Sequence, residues 1–204
     1  MLTLCASSGA CSQISIIMLE KAQANYALRA VHLAKGDHKT AEYLAVNPKG
    51  KVPALLTDTG VITETPAILL FLHAHYPDAG ILPADINNVE AVSDLAWFAS
   101  FFHPLITRYC KPDLLGVTTD VGAVKDVAAS QLKSAYQTAE KRLKASPYWY
   151  GYDWSATDAY LFWTVNRLKR AGFDFSEFEY VIQHYQQMLA SPVIKRALLK
   201  EKAL

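Results

Sequence analysis

Cysteine is scarce in this chain: Cys5, Cys11 and Cys110 are the only three in 204 residues, and no two of them have CxxC spacing. A sparse, odd set argues against a disulfide framework and against a cysteine-based zinc site, and it fits a reducing compartment with room for a single working thiol. Excess charge is lacking too, since 20 Lys+Arg face 19 Asp+Glu for a net charge of +1. No long basic run with interleaved aromatics occurs, so the footprint of a nucleic-acid binder is missing. Nowhere do about 18 apolar residues run together, and Met1 to Leu4 has neither the basic stretch nor the cleavage site of a leader. The expectation is a cytoplasmic protein without metal, membrane or nucleic-acid partner. Apolar residues are plentiful: 51% of the chain is hydrophobic and 11% aromatic, ample for one large domain or two modest ones. No internal repeat or low-complexity segment is visible.

The chain opens on a short apolar strand, Leu2 to Cys5, followed by Ser8-Gly9-Ala10-Cys11-Ser12. Next comes a run with Ile14, Ile17, Met18 and Ala22 at helical spacing. Cys11 therefore sits where a strand turns into a helix. The free N–H groups and dipole there favour negative charge and can draw a cysteine pKa from about 8.5 toward roughly 3.5–7.5. Two readings stay open: a reactive thiol, with Ser8 or Ser12 giving a hydrogen bond to a sulfur, or a small buried hydrophobe with Ser8 as a helix cap. Tyr26 to Leu33 reads as a second strand, completing β-α-β.

Asn47-Pro48-Lys49-Gly50-Lys51-Val52-Pro53 is a loop leading into a strand, Ala54 to Thr57. Asp58-Thr59-Gly60 then turns the chain into Val61-Ile62-Thr63. Thr65 as N-cap with Pro66 in the first helical position starts a helix that ends before Pro77. The Gly-, Pro- and Asn-containing passage after it marks a boundary, which divides the chain into a first domain over 1–78, a linker over 79–88 and a second domain over 89–204. The second domain reads as all helical, with helices over about 89–109, 121–144, 156–170, 177–189 and 193–200. Pro104 should kink the first of these and place His103 at the irregularity. Ser155-Ala156-Thr157-Asp158 is a capping box, and the apolar stretch Ala159 to Trp163 behind it should form the core of the second domain.

Four stretches are similar, in order and spacing, to motifs of the glutathione S-transferases: Gly9-Ala10-Cys11-Ser12, Asn47 to Ala54, Thr63-Glu64-Thr65-Pro66-Ala67-Ile68 and Ser155 to Leu161. The Gly-Ala-Cys-Ser run together with His103 most resembles the bacterial beta class. The resemblance implies a thioredoxin-like α/β N-terminal domain carrying a glutathione site, an all-α C-terminal domain carrying the second-substrate pocket, and a homodimer. Glutathione would be a co-substrate, with no permanently bound cofactor.

Residue by residue, the resemblance implies that Glu64 holds the γ-glutamyl amine and that Thr65, at a helix start, holds the adjoining carboxylate. Val52, ahead of a cis Pro53, would pair with the cysteinyl backbone. Lys35 and Lys51 are candidates for the glycyl carboxylate, Lys51 standing where glutamine is common. Ser12 and Ser100 complete the glutathione-binding set. Cys11 and His103 would be the catalytic pair at the glutathione sulfur. Phe102, Tyr109 and Trp163 would line an apolar pocket for the electrophile. The tyrosine that many members carry in the first strand-turn is absent, because Leu4-Cys5-Ala6-Ser7 occupies that place. The expected reaction is conjugation of glutathione to an apolar electrophile, with Cys11-dependent thiol–disulfide exchange at the same site. The alternatives are a non-catalytic ligand- or protein-binding member of the fold, or a glutathione-dependent isomerase or dehalogenase.

Overall fold

The computed structural model describes residues 1–83, 88–116 and 120–204. They sort into two units, Met1–Leu82 with Ala190–Leu204, and Pro83–Leu189.

The first unit contains β1 (Leu2–Ala6), α1 (Ser12–Lys21), β2 (Tyr26–Ala30), α2 (Ala41–Val46), β3 (Ala54–Thr57), β4 (Gly60–Thr63) and α3 (Thr65–His75). The sheet order is β2-β1-β3-β4, with β2 parallel to β1, β3 antiparallel to β1 and β4 antiparallel to β3, which is the thioredoxin-like arrangement. Tyr26 to Leu33 is shorter as a strand than expected. It gives way to a 3-10 turn, Leu33–Lys35, stopped by Gly36 at a φ of 82°. Helix α2 has no counterpart among the expected elements; Thr40 caps it by accepting from the Tyr43 N–H at 3.2 Å.

The strand register decides where the functional stretches meet. Cys5 pairs with Ala54, and Ala54 pairs with Thr63. The turn after β1, the residues before β3 and those after β4 therefore emerge at one end of the sheet. These are the Ser8–Cys11 turn, Val52-Pro53 and Glu64-Thr65.

Helix α1 is buried from Ser12 through Glu20, polar residues included. The reason lies at the far end of the chain. Helix α9 (Pro192–Lys202) packs along α1 and belongs to the first unit, whereas the sequence pattern assigns it with the rest of 89–204 to the helical domain. Ile194 and Ala197 are fully buried. Glu20 pairs with Lys200, with Arg196 at 3.3 Å, and accepts from the Tyr26 hydroxyl at 2.8 Å. The expected boundary also moves, because Ile81 and Leu82 are buried and belong with the first unit. Residues 84–87 of the expected linker lie outside the described residues.

The second unit is helical among the described residues, apart from one isolated bridge between Tyr148 and Gly151. It comprises α4 (Asn88–Trp97), a π-helical stretch Phe98–Phe102, α5 (His103–Cys110), α6 (Val121–Ala145), α7 (Ala156–Arg170) and α8 (Glu179–Ala190). The π stretch is how the chain absorbs Pro104, whose ring nitrogen carries no hydrogen for the α ladder. The capping box forms: Asp158 accepts from the Ser155 N–H at 2.8 Å, and also from the Trp149 N–H at 2.8 Å. His184 Nε2 lies 3.0 Å from the same carboxylate. Ala159 to Trp163 is buried throughout, as its composition requires. No helix among the described residues is long and apolar enough to cross a membrane.

Candidate active site

Cys11 is the N-cap of α1 and only 7% exposed. Its thiol donates to the carbonyl oxygen of Val52 at 3.5 Å, while the Thr65 hydroxyl gives a hydrogen bond to the sulfur. Three stretches of the chain, 41 and 13 residues apart, thus meet at one sulfur atom. Burial pushes the thiol up to about 11, and the negative charge of Glu64 adds to the rise. The Thr65 hydroxyl and the backbone N–H groups of Cys11 and Ser12 act in the opposite direction without cancelling it. Of the two readings open for Cys11, the buried side chain describes the thiol better, because removing water costs the thiolate more than one helix end and one hydroxyl return.

The turn carrying Cys11 is held from behind. Gly9, at a φ of 71°, donates its N–H to Glu201 Oε1 at 2.9 Å, and the Gln13 amide donates to the other oxygen. Glu201 comes from α9 and is buried, so the C-terminal helix braces the first turn of the chain. Sequence reasoning missed this residue, because nothing near Glu201 marks it as anything but a surface acid. Ser12 departs from its expected role in binding glutathione. It is fully buried, and its hydroxyl is spent on Ser7, accepting from that residue's N–H and donating to its carbonyl, both at 3.1 Å.

The Val52-Pro53 bond is cis and follows a loop anchored by Asn47, whose amide donates to the Lys51 carbonyl at 2.7 Å beside the Tyr43 hydroxyl at 2.6 Å. Among the described residues, nothing accepts from the Val52 N–H. Glu64, not Thr65, is the N-cap of α3, with a φ of 73° that a non-glycine residue seldom adopts. Thr65 is the first helical residue and is buried, its hydroxyl turned to Cys11. Pro66 has no N–H, so the unused donors of the first turn are the Thr65 and Ala67 amides. Lys49, which the sequence did not single out, reaches Glu64 Oε1 at 2.7 Å and Thr63 Oγ1 at 2.9 Å. Lys35 and Lys51 are both exposed, and neither ammonium has an ion pair among the described residues.

The remaining expected residues lie in the second unit. His103 opens α5, half-buried, with its ring edge-on to Trp163 at 4.9 Å between centroids. Trp163 is buried, and its Nε1 has no hydrogen-bond partner among the described residues. Ser100 is exposed within the π stretch, where i→i+5 bonding widens the turn and the α-helical spacing that put it on the face of His103 no longer holds. Phe102 is fully buried, stacked on Phe98 at 4.8 Å and edge-on to Tyr136 at 5.2 Å, so it is a core residue and not a pocket wall. Tyr109 is largely buried against Phe173 at 5.5 Å, with the Lys125 ammonium 4.7 Å above its ring.

Residues 9–75 match the model of the glutathione S-transferase N-terminal domain. Glutathione S-transferase GstA of Escherichia coli O157:H7 is 31% identical over 198 residues, 95% of each chain. A glutathione transferase homologue from Sulfitobacter, solved with bound glutathione, superposes with a TM-score of 0.89 at 28% identity, over 100% of this chain and 98% of that one. The beta-class enzyme of Sphingomonas chungbukensis gives 0.85 at 29% identity, over 99% and 100%. With a sheet, a cis-proline loop and a Glu-Thr helix start that converge on one cysteine, and a relative matched along nearly its full length, this chain belongs to the glutathione S-transferase family.

Proposed function

We propose that this protein is a beta-class-like transferase that binds glutathione along the Cys11, Val52 and Glu64-Thr65 edge of its first unit and transfers it to apolar electrophiles. The observation that carries the reading is the convergence of Cys11, Val52 and Thr65 on one sulfur atom. The Glu64 carboxylate takes the γ-glutamyl ammonium, and the Thr65 and Ala67 amides take the neighbouring carboxylate. The Val52 N–H and C=O pair with the cysteinyl backbone in the manner of an added strand. Lys35 and Lys51 serve the glycyl carboxylate. His103 is assigned to the glutathione sulfur and Trp163 to the electrophile by family resemblance, as is a homodimeric assembly.

In the reaction, the glutathione thiol loses its proton to solvent. The thiolate attacks the electrophilic carbon, a C–S bond forms, and the leaving group departs with its electron pair. Lowering the thiol pKa by about two units takes about 2.7 kcal/mol of thiolate stabilisation. One or two hydrogen bonds to a charged acceptor, at about 1.5–3 kcal/mol each, are of that size. A Cys11 held up at about 11 is protonated at neutral pH and suited to giving such a bond. Its S–H then moves from the Val52 carbonyl to the incoming thiolate. The same high value makes Cys11 a poor attacking nucleophile, which favours conjugation over disulfide exchange.

The test is initial-rate kinetics with glutathione and an activated aryl halide. Saturable turnover is expected, with Cys11→Ala retaining conjugation at a reduced rate while losing exchange with a glutathionylated disulfide. Tight retention of apolar dyes with no turnover would instead identify a binding protein.

A further inference from the structure

The ammonium of Lys49 bridges Thr63 Oγ1 and Glu64 Oε1, at 2.9 and 2.7 Å. We infer that Lys49 is a positioning residue for the γ-glutamyl end of the ligand, holding one oxygen of Glu64 so that the other faces the ligand's ammonium. The inference rests on the glutathione reading above and names a residue that reading does not use.

Glu64 needs such a holder. Its side chain is 65% exposed, and its backbone φ of 73° sets the direction in which the side chain leaves the helix start without fixing its rotamers. Oε2 has no partner among the described residues. Lys49, in contrast, has a rigid base. Its own N–H donates to the Asn47 side chain at 3.1 Å, and the Gly50 N–H donates to the Asn47 carbonyl at 2.9 Å, closing a tight turn around it. Asn47 is buried. Gly50 has a φ of 59°, and a Cβ there would stand 3.1 Å from the His38 carbonyl oxygen, so the turn has little freedom to change. The loop that presents the Val52 backbone edge therefore also reaches across to Glu64. Two parts of one ligand site are set by one turn.

A competing effect acts in the opposite direction, because Lys49 and a ligand ammonium share one carboxylate and repel each other. At these exposed positions the high dielectric of water weakens that repulsion. The two cations also occupy different oxygens. Ordering the carboxylate in advance is the larger effect, and its loss should be visible in KM.

The test compares glutathione with its analogue lacking the γ-glutamyl amine, using Lys49→Met and Lys49→Arg. The positioning role predicts that Lys49→Met raises KM for glutathione about two- to fivefold, the scale of an exposed ion pair, with kcat unchanged and little effect on the deaminated analogue. Lys49→Arg, which can bridge the same two oxygens, should restore KM. An unchanged KM, an equal rise for both peptides, or tighter binding of glutathione by Lys49→Met would overturn the inference while leaving the glutathione reading intact. A wild-type protein that never saturates with glutathione overturns both.

Discussion

The Cys11 thiol donates to the Val52 carbonyl oxygen across 3.5 Å, which makes the residue before the cis-proline and the residue that starts the first helix direct partners. Burial and this bond both favour the protonated sulfur. With a value of about 11, Cys11 is roughly one part in ten thousand thiolate at pH 7. Alkylation of Cys11 in the ligand-free protein, followed by peptide mass spectrometry, should accelerate steadily from pH 7 to beyond pH 10. Thr65→Val removes a bond that lowers the pKa and should slow alkylation further at any given pH. A plateau near pH 7 is incompatible with this site.

Glu201 accepts from the Gly9 N–H and the Gln13 amide, 192 and 188 residues away in sequence. Glu201→Ala leaves both donors without this acceptor, at about 1–3 kcal/mol for a buried group left unpaired. Chemical denaturation should show a loss of about 1–3 kcal/mol. Glu201→Gln, which keeps one acceptor oxygen, should lose less. An unfolding midpoint unmoved by Glu201→Ala would show that α9 does not brace the first turn.

Glu20 provides a pH signature. Burial raises its pKa, but hydrogen bonds from Lys200, Tyr26 and Arg196 outweigh that, and the carboxyl titrates below its ordinary 4.5. A folded-state value below the unfolded one means stability that is present above about pH 4.5 and lost as the pH falls through the folded value. Wild-type protein should therefore be more stable than Glu20→Gln at pH 6, with the gap closing as the pH falls below about 4.5. A gap that stays constant or widens on acidification would contradict the assignment.

Much of the first unit was legible because its signals are local. Asp58-Thr59-Gly60 between two apolar runs is a hairpin wherever it occurs, and Thr65-Pro66 starts a helix in any context. The convergence of these pieces follows from the register Cys5–Ala54–Thr63, which the sequence implies only once the topology is known. What escaped depends on distance along the chain. Gln13 and Glu20 look like the solvated face of an amphipathic α1, and only α9 makes them interior; for the same reason 190–204 could not be separated from the helical domain. Lys49 reads as one more loop lysine until Glu64 folds over beside it. Which of the two readings of Cys11 holds depends on burial, a tertiary quantity that a helix-start motif does not contain. Phe102 failed as a pocket residue because the π stretch turns it into the aromatic core.

The central claim is that glutathione binds the first unit through Glu64. Isothermal titration of glutathione into the wild-type chain and into Glu64→Gln tests it most directly. Saturable binding by the wild type, at about one tripeptide per chain and at least tenfold weaker in Glu64→Gln, is the predicted result. No heat of binding at millimolar glutathione, or equal affinity in the two proteins, would contradict it.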